Sequence, residues 1–344
     1  VDETCEFLIH MPVSDEAHTY GASTGQTYDF RPMTAKIKPL ISSADLAICK
    51  VEVPMSATDT ALHGYPVFNS PHELADAIKD TGYEGCSVAT NHALDQGPEG
   101  VKETLDELDR VGVAHTGTAR SADEANQIQF FKVKGVTVAN LSYTYGTNGI
   151  PVPAGQPWLV NVTDVPTILA AAHRAKQEGA QYVVLSMHWG GQYQVAPHAD
   201  EQLEAQQLLA SPDVDLIFGD HEHVVQPVEK IGDKYVVFGM GNILSNQSAA
   251  TDLPASTQDG AILKAYVRQV GDRFVVDRVT YTPTYVEIGP YTIWPVAAAL
   301  DDPSTPPGLR AQLAASWKRT VANESSLPGH PQDALPDETP NNLP

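Results

Sequence analysis

Leu216-Ile217-Phe218-Gly219-Asp220-His221-Glu222-His223 is the stretch on which the reading of this chain turns. The apolar run 214–218 reads as a buried strand, and Gly219 breaks it into a turn. Two imidazoles follow, at positions i and i+2. In an extended chain such residues point the same way, so both rings can face one point, and imidazole is a common ligand for Zn, Mn, Fe or Ni. Taken alone, His-x-His is equally the pattern of a solvated polar turn.

Three further segments repeat the design. Residues 182–188 form an apolar run that ends in His188 and meets the pair Gly190-Gly191. Residues 85–90 lead into Asn91-His92, with Asp95 and Gly97 close behind. Residues 45–51 deliver Glu52 just before Pro54. In an open α/β sheet the strand ends on one edge converge on the ligand crevice. A carboxylate, a carboxamide oxygen and three imidazoles there exceed what one metal needs, and two metals would use them all.

The chain has 344 residues, 42% of them hydrophobic, and a formal net charge of −22. That charge argues against a nucleic-acid backbone or an anionic membrane surface as partner. An anionic substrate would have to be held by metals and local Lys or Arg. No apolar run approaches the roughly 20 residues that span a bilayer. The first residue is Val1, so a processed or trimmed product is expected, with any signal peptide or anchor outside it. The three cysteines, Cys5, Cys49 and Cys86, are too few for a disulfide scaffold. Cys49 and Cys86 fall in neighbouring strands, either as two small buried residues or, if the protein is exported, as a bridge.

From residue 29 to 223 strands and helices alternate. Helices are expected over 31–44, 71–81 (N-cap Ser70, Gly82 after its end), 98–111 (Gly112 at its end), 165–178 and 200–210. Strands are expected over 45–53, 86–90, 182–188 and 214–218, and a hairpin over 129–133 and 136–142. After His223 the rhythm changes to strands, with hairpins about Gly232-Asp233 and Gly271-Asp272. A final helix is expected over 310–322, and the Pro-rich end, 327–344, is expected to be disordered. His18, His63, His115, His173, His198 and His330 read as surface or loop residues. An α/β half followed by antiparallel strands, with the metal motifs at the joints, suggests two sheets face to face with helices outside.

The order Glu52, Asn91-His92-x-x-Asp95-x-Gly97, His188-Trp189-Gly190, Gly219-x-His221-x-His223 and Gly239-x-Gly241-Asn242 resembles the CapA (PgsA) family of capsule poly-γ-glutamate synthesis proteins. That family is similar in fold to calcineurin-like metallophosphoesterases. The resemblance runs from about Cys5 to Tyr285. It implies a four-layer αββα sandwich of two mixed sheets over residues 1–290, a helical extension of the same domain over 291–326, and the tail beyond. By position it implies one or two divalent metals (Mn, Zn or Fe), with Glu52 bridging or ligating them, Asn91 binding through its side-chain oxygen, and His188, His221 and His223 completing the set. His92 becomes the general acid, oriented by Asp95. Tyr145, Asn148 and Asn242 become substrate-side residues. Two departures stand out. The family's Gly-Asp at the end of strand one is here Cys5-Glu6, so the ligand carboxylate at Glu6 carries an extra methylene and its oxygen is displaced. Lys50 stands where the family has Asn.

Two functions follow from the resemblance. One is an exported metal-dependent hydrolase of the cell envelope, acting on an anionic envelope polymer or another small substrate, alongside membrane-bound capsule-synthesis partners. Such a site could attack a phosphoester, an ester or an amide. The other is a non-catalytic metal-binding envelope protein that assists capsule polymer synthesis or export. Retention of His92 separates them, since a structural metal site has no need of an acid beside it.

Overall fold

The computed structural model describes residues 1–325 and 333–343. Its centre is a pair of mixed sheets. Among the described residues the larger has nine strands. Asp2–Phe7 lies inside it between Ala47–Val51, which is parallel, and Asp259–Val270, which is antiparallel. Gly85–Ser87 and Ala114–Thr116 continue one side, and Arg273–Glu287 and Thr292–Pro295 the other. Asn242–Leu244 extends alongside the end of the first strand. The smaller sheet runs Val228–Ile231, Lys234–Val237, Leu216–Asp220, Tyr182–His188, Val136–Thr144 and Gln129–Val133.

Side-chain alternation explains the layers. In Tyr182–His188 the residues Tyr182 and Val184 join Phe7, Ile48, Leu216 and Phe218 in the core between the sheets. Val183, Leu185 and Met187 point outward, onto Ile168, Ala172 and Leu208 of the helices Val165–Gln177 and Ala199–Leu209. By the same parity His188 and Asp220, the last residues of two paired strands, open between the sheets. On the other flank, Glu73–Thr81 and Gly97–Val111 pack through Leu74, Ile78, Leu105 and Leu108. The expected αββα sandwich is what the chain forms.

Local chemistry sets the element ends. Gly82 (φ 112) and Gly112 (φ 69) take the left-handed conformation that closes a helix, and Asp164 caps Val165–Gln177 by accepting from the Thr167 N–H. The hairpins at Lys134-Gly135, Gly232-Asp233 and Gly271-Asp272 are as read from the sequence.

Four expectations are corrected and one unexpected helix is found. The helix over 31–44 is two short pieces, Arg31–Thr34 and Lys38–Ile41, each with a proline in its first turn. Pro39 has no N–H to bond back across the gap. The helix at 71–81 begins at Glu73 with His72 as N-cap, because Ser70–Pro71 pairs as a short strand with Met55–Ser56. Met11–Thr24 is a helix that weak amphipathicity concealed. The strand read as ending before Gly219 continues through it to Asp220, since a Cβ at 219 would sit against the Phe238 carbonyl and the Trp189 ring. The tail is ordered over its described part: Ala334–Pro336 adds a parallel strand to Arg273–Glu287, and Asp337 accepts from the Thr282 hydroxyl and pairs with Lys264. Residues 326–332 and 344, His330 among them, lie outside the described residues.

Cys49 and Cys86 face each other in register on adjacent strands and form a disulfide, which resolves the two readings in favour of the bridge. Cys5 is a buried free thiol.

Candidate metal centre

The strand ends of both sheets meet in one crevice. From the larger sheet come Glu6, Glu52 and Asn91, and from the smaller His188, His221 and His223, all with at most 4% of their surface exposed. Two sets of ligand atoms converge there, each within a 4.8 Å span: Glu6, Glu52 and His188, and Glu52, His221 and His223. Glu52 belongs to both.

Glu6 lies on the strand flanked by Lys50 and Asn242. Its longer side chain still arrives at the cluster, with Oε2 2.7 Å from His223 Nδ1 and Oε1 3.6 Å from His188 Nδ1. Asn91 Oδ1 lies 2.8 Å from His188 Nε2, and its amide donates to Asn148 Oδ1 at 3.1 Å. His221 (φ 111) and His223 (φ 57) are both in left-handed backbone. The extended geometry expected for this pair is therefore corrected: a tight turn, and not a continuing strand, brings the rings together, with centroids 5.9 Å apart. Backbone held this way costs of order 1–3 kcal/mol per residue and clusters at functional sites.

The electrostatics show what this donor set lacks. Burial, and then the Glu6 carboxylate, push the Glu52 carboxyl well above its usual range. Burial holds His188 and His221 well below the usual imidazole value. For His223 burial opposes protonation, but Glu6 and Glu52 outweigh it and raise the ring to about 9. Among the described residues, neither Glu52 oxygen nor His221 Nδ1 has a hydrogen-bond partner. Two buried carboxylates in contact are costly unless a cation compensates them, and carboxylates with imidazoles suit Mn, Zn or Fe. The residues fit divalent metal ions.

His92 stands beside the cluster. Its Nδ1 is 2.7 Å from Asp95 Oδ2, which also accepts the Phe68 N–H at 2.7 Å, and the Phe68 ring packs edge-on against the imidazole. Tyr145, 47% exposed, lies over His221 with ring centroids 4.7 Å apart. Its hydroxyl is 3.4 Å from Asn148 Oδ1. Asn242 is fully buried. It holds His223 Nδ1 at 3.1 Å and donates to Gln247 and the Thr257 carbonyl. Its side chain is thus held against His223 and the 247–257 segment.

Sequence reasoning missed several residues. Asp220 contacts His188 Nδ1 from the paired strand; strand parity with Leu216 and Phe218 was the available signal. Tyr193 (5.9 Å from the His223 ring) and Gln192 (3.4 Å from its Nε2) close one wall, and His10 packs on Phe68. Trp189 is buried under the strand end, donating to the Phe238 carbonyl.

Two mixed sheets between helix layers define a metallophosphoesterase-like fold, with carboxylates and imidazoles converging at its strand ends. Residues 6–247, well over half of the chain, match the bacterial capsule synthesis protein family PGA_cap, and the chain belongs to that family. It is 25% identical over 243 residues to the PGA biosynthesis protein CapA of Bacillus subtilis, covering 68% of this chain and 61% of that protein. It is also 25% identical over 286 residues to the capsule biosynthesis protein CapA of Bacillus anthracis, covering 80% and 65%. The chain thus spans less than two thirds of the length of these relatives. Among solved structures, a candidate 5'-nucleotidase from Staphylococcus aureus in complex with alpha-ketoglutarate superposes with a TM-score of 0.50 at 15% identity. It covers 92% of this chain and 58% of that one, a likeness of fold.

Proposed function

We propose that the protein is a metal-dependent hydrolase of the cell envelope that acts in capsule and poly-γ-glutamate polymer metabolism. Glu6, Glu52, Asn91, His188, His221 and His223 hold one or two divalent ions. Metals bound there supply positive charge that polarises a substrate oxygen and eases deprotonation of a water molecule.

The observation that carries the reading is His92. It is 5% exposed, beside the cluster but outside both ligand sets. With Asp95 accepting from Nδ1, Nε2 is the atom that exchanges a proton, and the Phe68 ring fixes the plane of the imidazole. A group so held serves as general acid toward a leaving group. Tyr145 and Asn148, joined to Asn91 through the Asn148 carboxamide, form the wall against which substrate is oriented.

Envelope siting is supported by the Cys49–Cys86 bridge, which forms and persists in oxidising compartments, and by the relatives named for capsule biosynthesis. An anionic envelope polymer and membrane-bound synthesis proteins are the partners this implies. Among the described residues no helix is long and apolar enough to cross a membrane.

The test is hydrolysis of a generic aryl phosphate and of a γ-glutamyl anilide by metal-stripped protein, with and without Mn²⁺. Mn²⁺-dependent turnover of either, absent from His221→Ala, is expected. Metal-loaded native protein that turns over neither leaves the hydrolase reading without support and restores the scaffold role.

A further inference from the structure

His188 is fully buried at the end of its strand. Asp220 is its directly opposed neighbour on the next strand, and its Oδ1 contacts His188 Nδ1. The other oxygen, Oδ2, lies 3.2 Å from Lys50 Nζ, and neither side chain of that ion pair is exposed. Lys50 comes from the facing sheet, in register with Glu6. The chain Lys50–Asp220–His188 therefore crosses from one sheet to the other directly beneath the metal cluster.

The ring's second nitrogen shows what the chain does. A carboxylate is an acceptor, so Nδ1–H donates a hydrogen bond to Asp220 and Nε2 of the neutral ring carries a lone pair. Nε2 is 2.8 Å from Asn91 Oδ1, and this oxygen is also an acceptor, its amide nitrogen being committed to Asn148. Two acceptors this close repel unless a cation shares them. That arrangement fits adjacent ligands of one metal.

We propose that Asp220, neutralised by Lys50, is a positioning residue that fixes His188 in the Nδ1–H tautomer and presents its Nε2 lone pair, with Asn91 Oδ1, to the metal. The proposal rests on the metal-binding reading above. It explains one of the two departures, Lys50. Lys50 is a cation where the resembled family has Asn, and a buried Lys is tolerated only with a paired anion; Asp220 is that anion, and its remaining oxygen is spent on the ligand. Support of a ligating imidazole by a carboxylate is worth roughly 10–100-fold in metal affinity.

The test measures ring tautomer and zinc affinity. Removing Asp220 alone strands the Lys50 cation in the core, so the variants remove both charges: Lys50→Met with Asp220→Ala, and Lys50→Met with Asp220→Asn. In metal-free native protein, ¹⁵N imidazole spectra are expected to show His188 in the Nδ1–H form. The Ala double variant should give a mixture of tautomers and a zinc dissociation constant about 10–100-fold higher by chelator competition. The Asn double variant keeps an acceptor for Nδ1–H and should recover most of both. An Nε2–H ring in the native protein overturns the proposal. So do an unchanged ring and unchanged zinc affinity in the Ala double variant. Native protein that takes up no zinc sinks the metal reading, and the ring spectrum of the metal-free protein then still decides the role of Asp220.

Discussion

At the scale of single residues, His92 and Asn91 are neighbours in sequence that face different partners. Asn91 turns its oxygen toward His188, so the next side chain leaves on another side and meets Asp95 and Phe68. His92→Asn is expected to leave bound metal and melting temperature nearly unchanged while lowering kcat by about 10²–10⁴-fold; metal analysis beside steady-state kinetics checks this. Loss of metal in the variant would move His92 into the ligand set.

At the scale of elements, the bridge and the last helix make two predictions. Cys49 and Cys86 are 37 residues apart and pin two adjacent strands, one leading to Glu52 and the other to Asn91. Closing a loop of that length is worth about 4 kcal/mol in the chain-entropy description, with about 2–4 typical. Urea unfolding of Cys49→Ala/Cys86→Ala should show a loss in that range. Glu324 ends the helix Pro307–Glu324, where the dipole disfavours an anion. Burial pushes its carboxyl well above the ordinary range. A raised carboxylate contributes stability below its unfolded pKa, about 4.3, and that contribution is lost as pH rises through the folded value. Glu324→Gln should therefore raise the melting temperature at pH 8, and the gain should vanish near pH 4.

At the scale of the molecule, the cluster joins the two sheets: Glu6, Glu52 and Asn91 come from one and His188, His221 and His223 from the other. A metal bound there ties the halves of the sandwich together and binds the folded state alone. Saturation at 100 times Kd adds about 2.7 kcal/mol. Chelation should lower the melting temperature of the native protein, metal should restore it, and a His188→Ala/His221→Ala variant should respond to neither. The field around this centre is acidic, at a formal −22 for the chain. Among the described residues, Lys50 is the Lys or Arg found in contact with the cluster's supports, and it is fully buried. On the proposed function, an anionic polymer would have to be held by bound metals and the rim of Tyr145, Tyr193 and Asn148.

The sequence by itself determined many of the strands, their hairpins, the glycine-capped helices and five of the six residues that meet at the centre, because each is a local pattern: apolar alternation, turn chemistry, a polar residue at a strand's end. Glu6 entered only through the family resemblance. The sequence also pointed to the αββα class through the change from alternating strands and helices to strands alone. Only the tertiary structure decided that Cys49 and Cys86 are bridged and that Ala334–Pro336 closes onto the larger sheet. It alone showed that His221 and His223 turn through left-handed backbone, that Asn242 is interior, and that Asp220 and Lys50 stand behind His188. Each of these depends on which strand lies beside or across from which. The pairing energy comes from residues far apart in the chain, so no window of local sequence contains it.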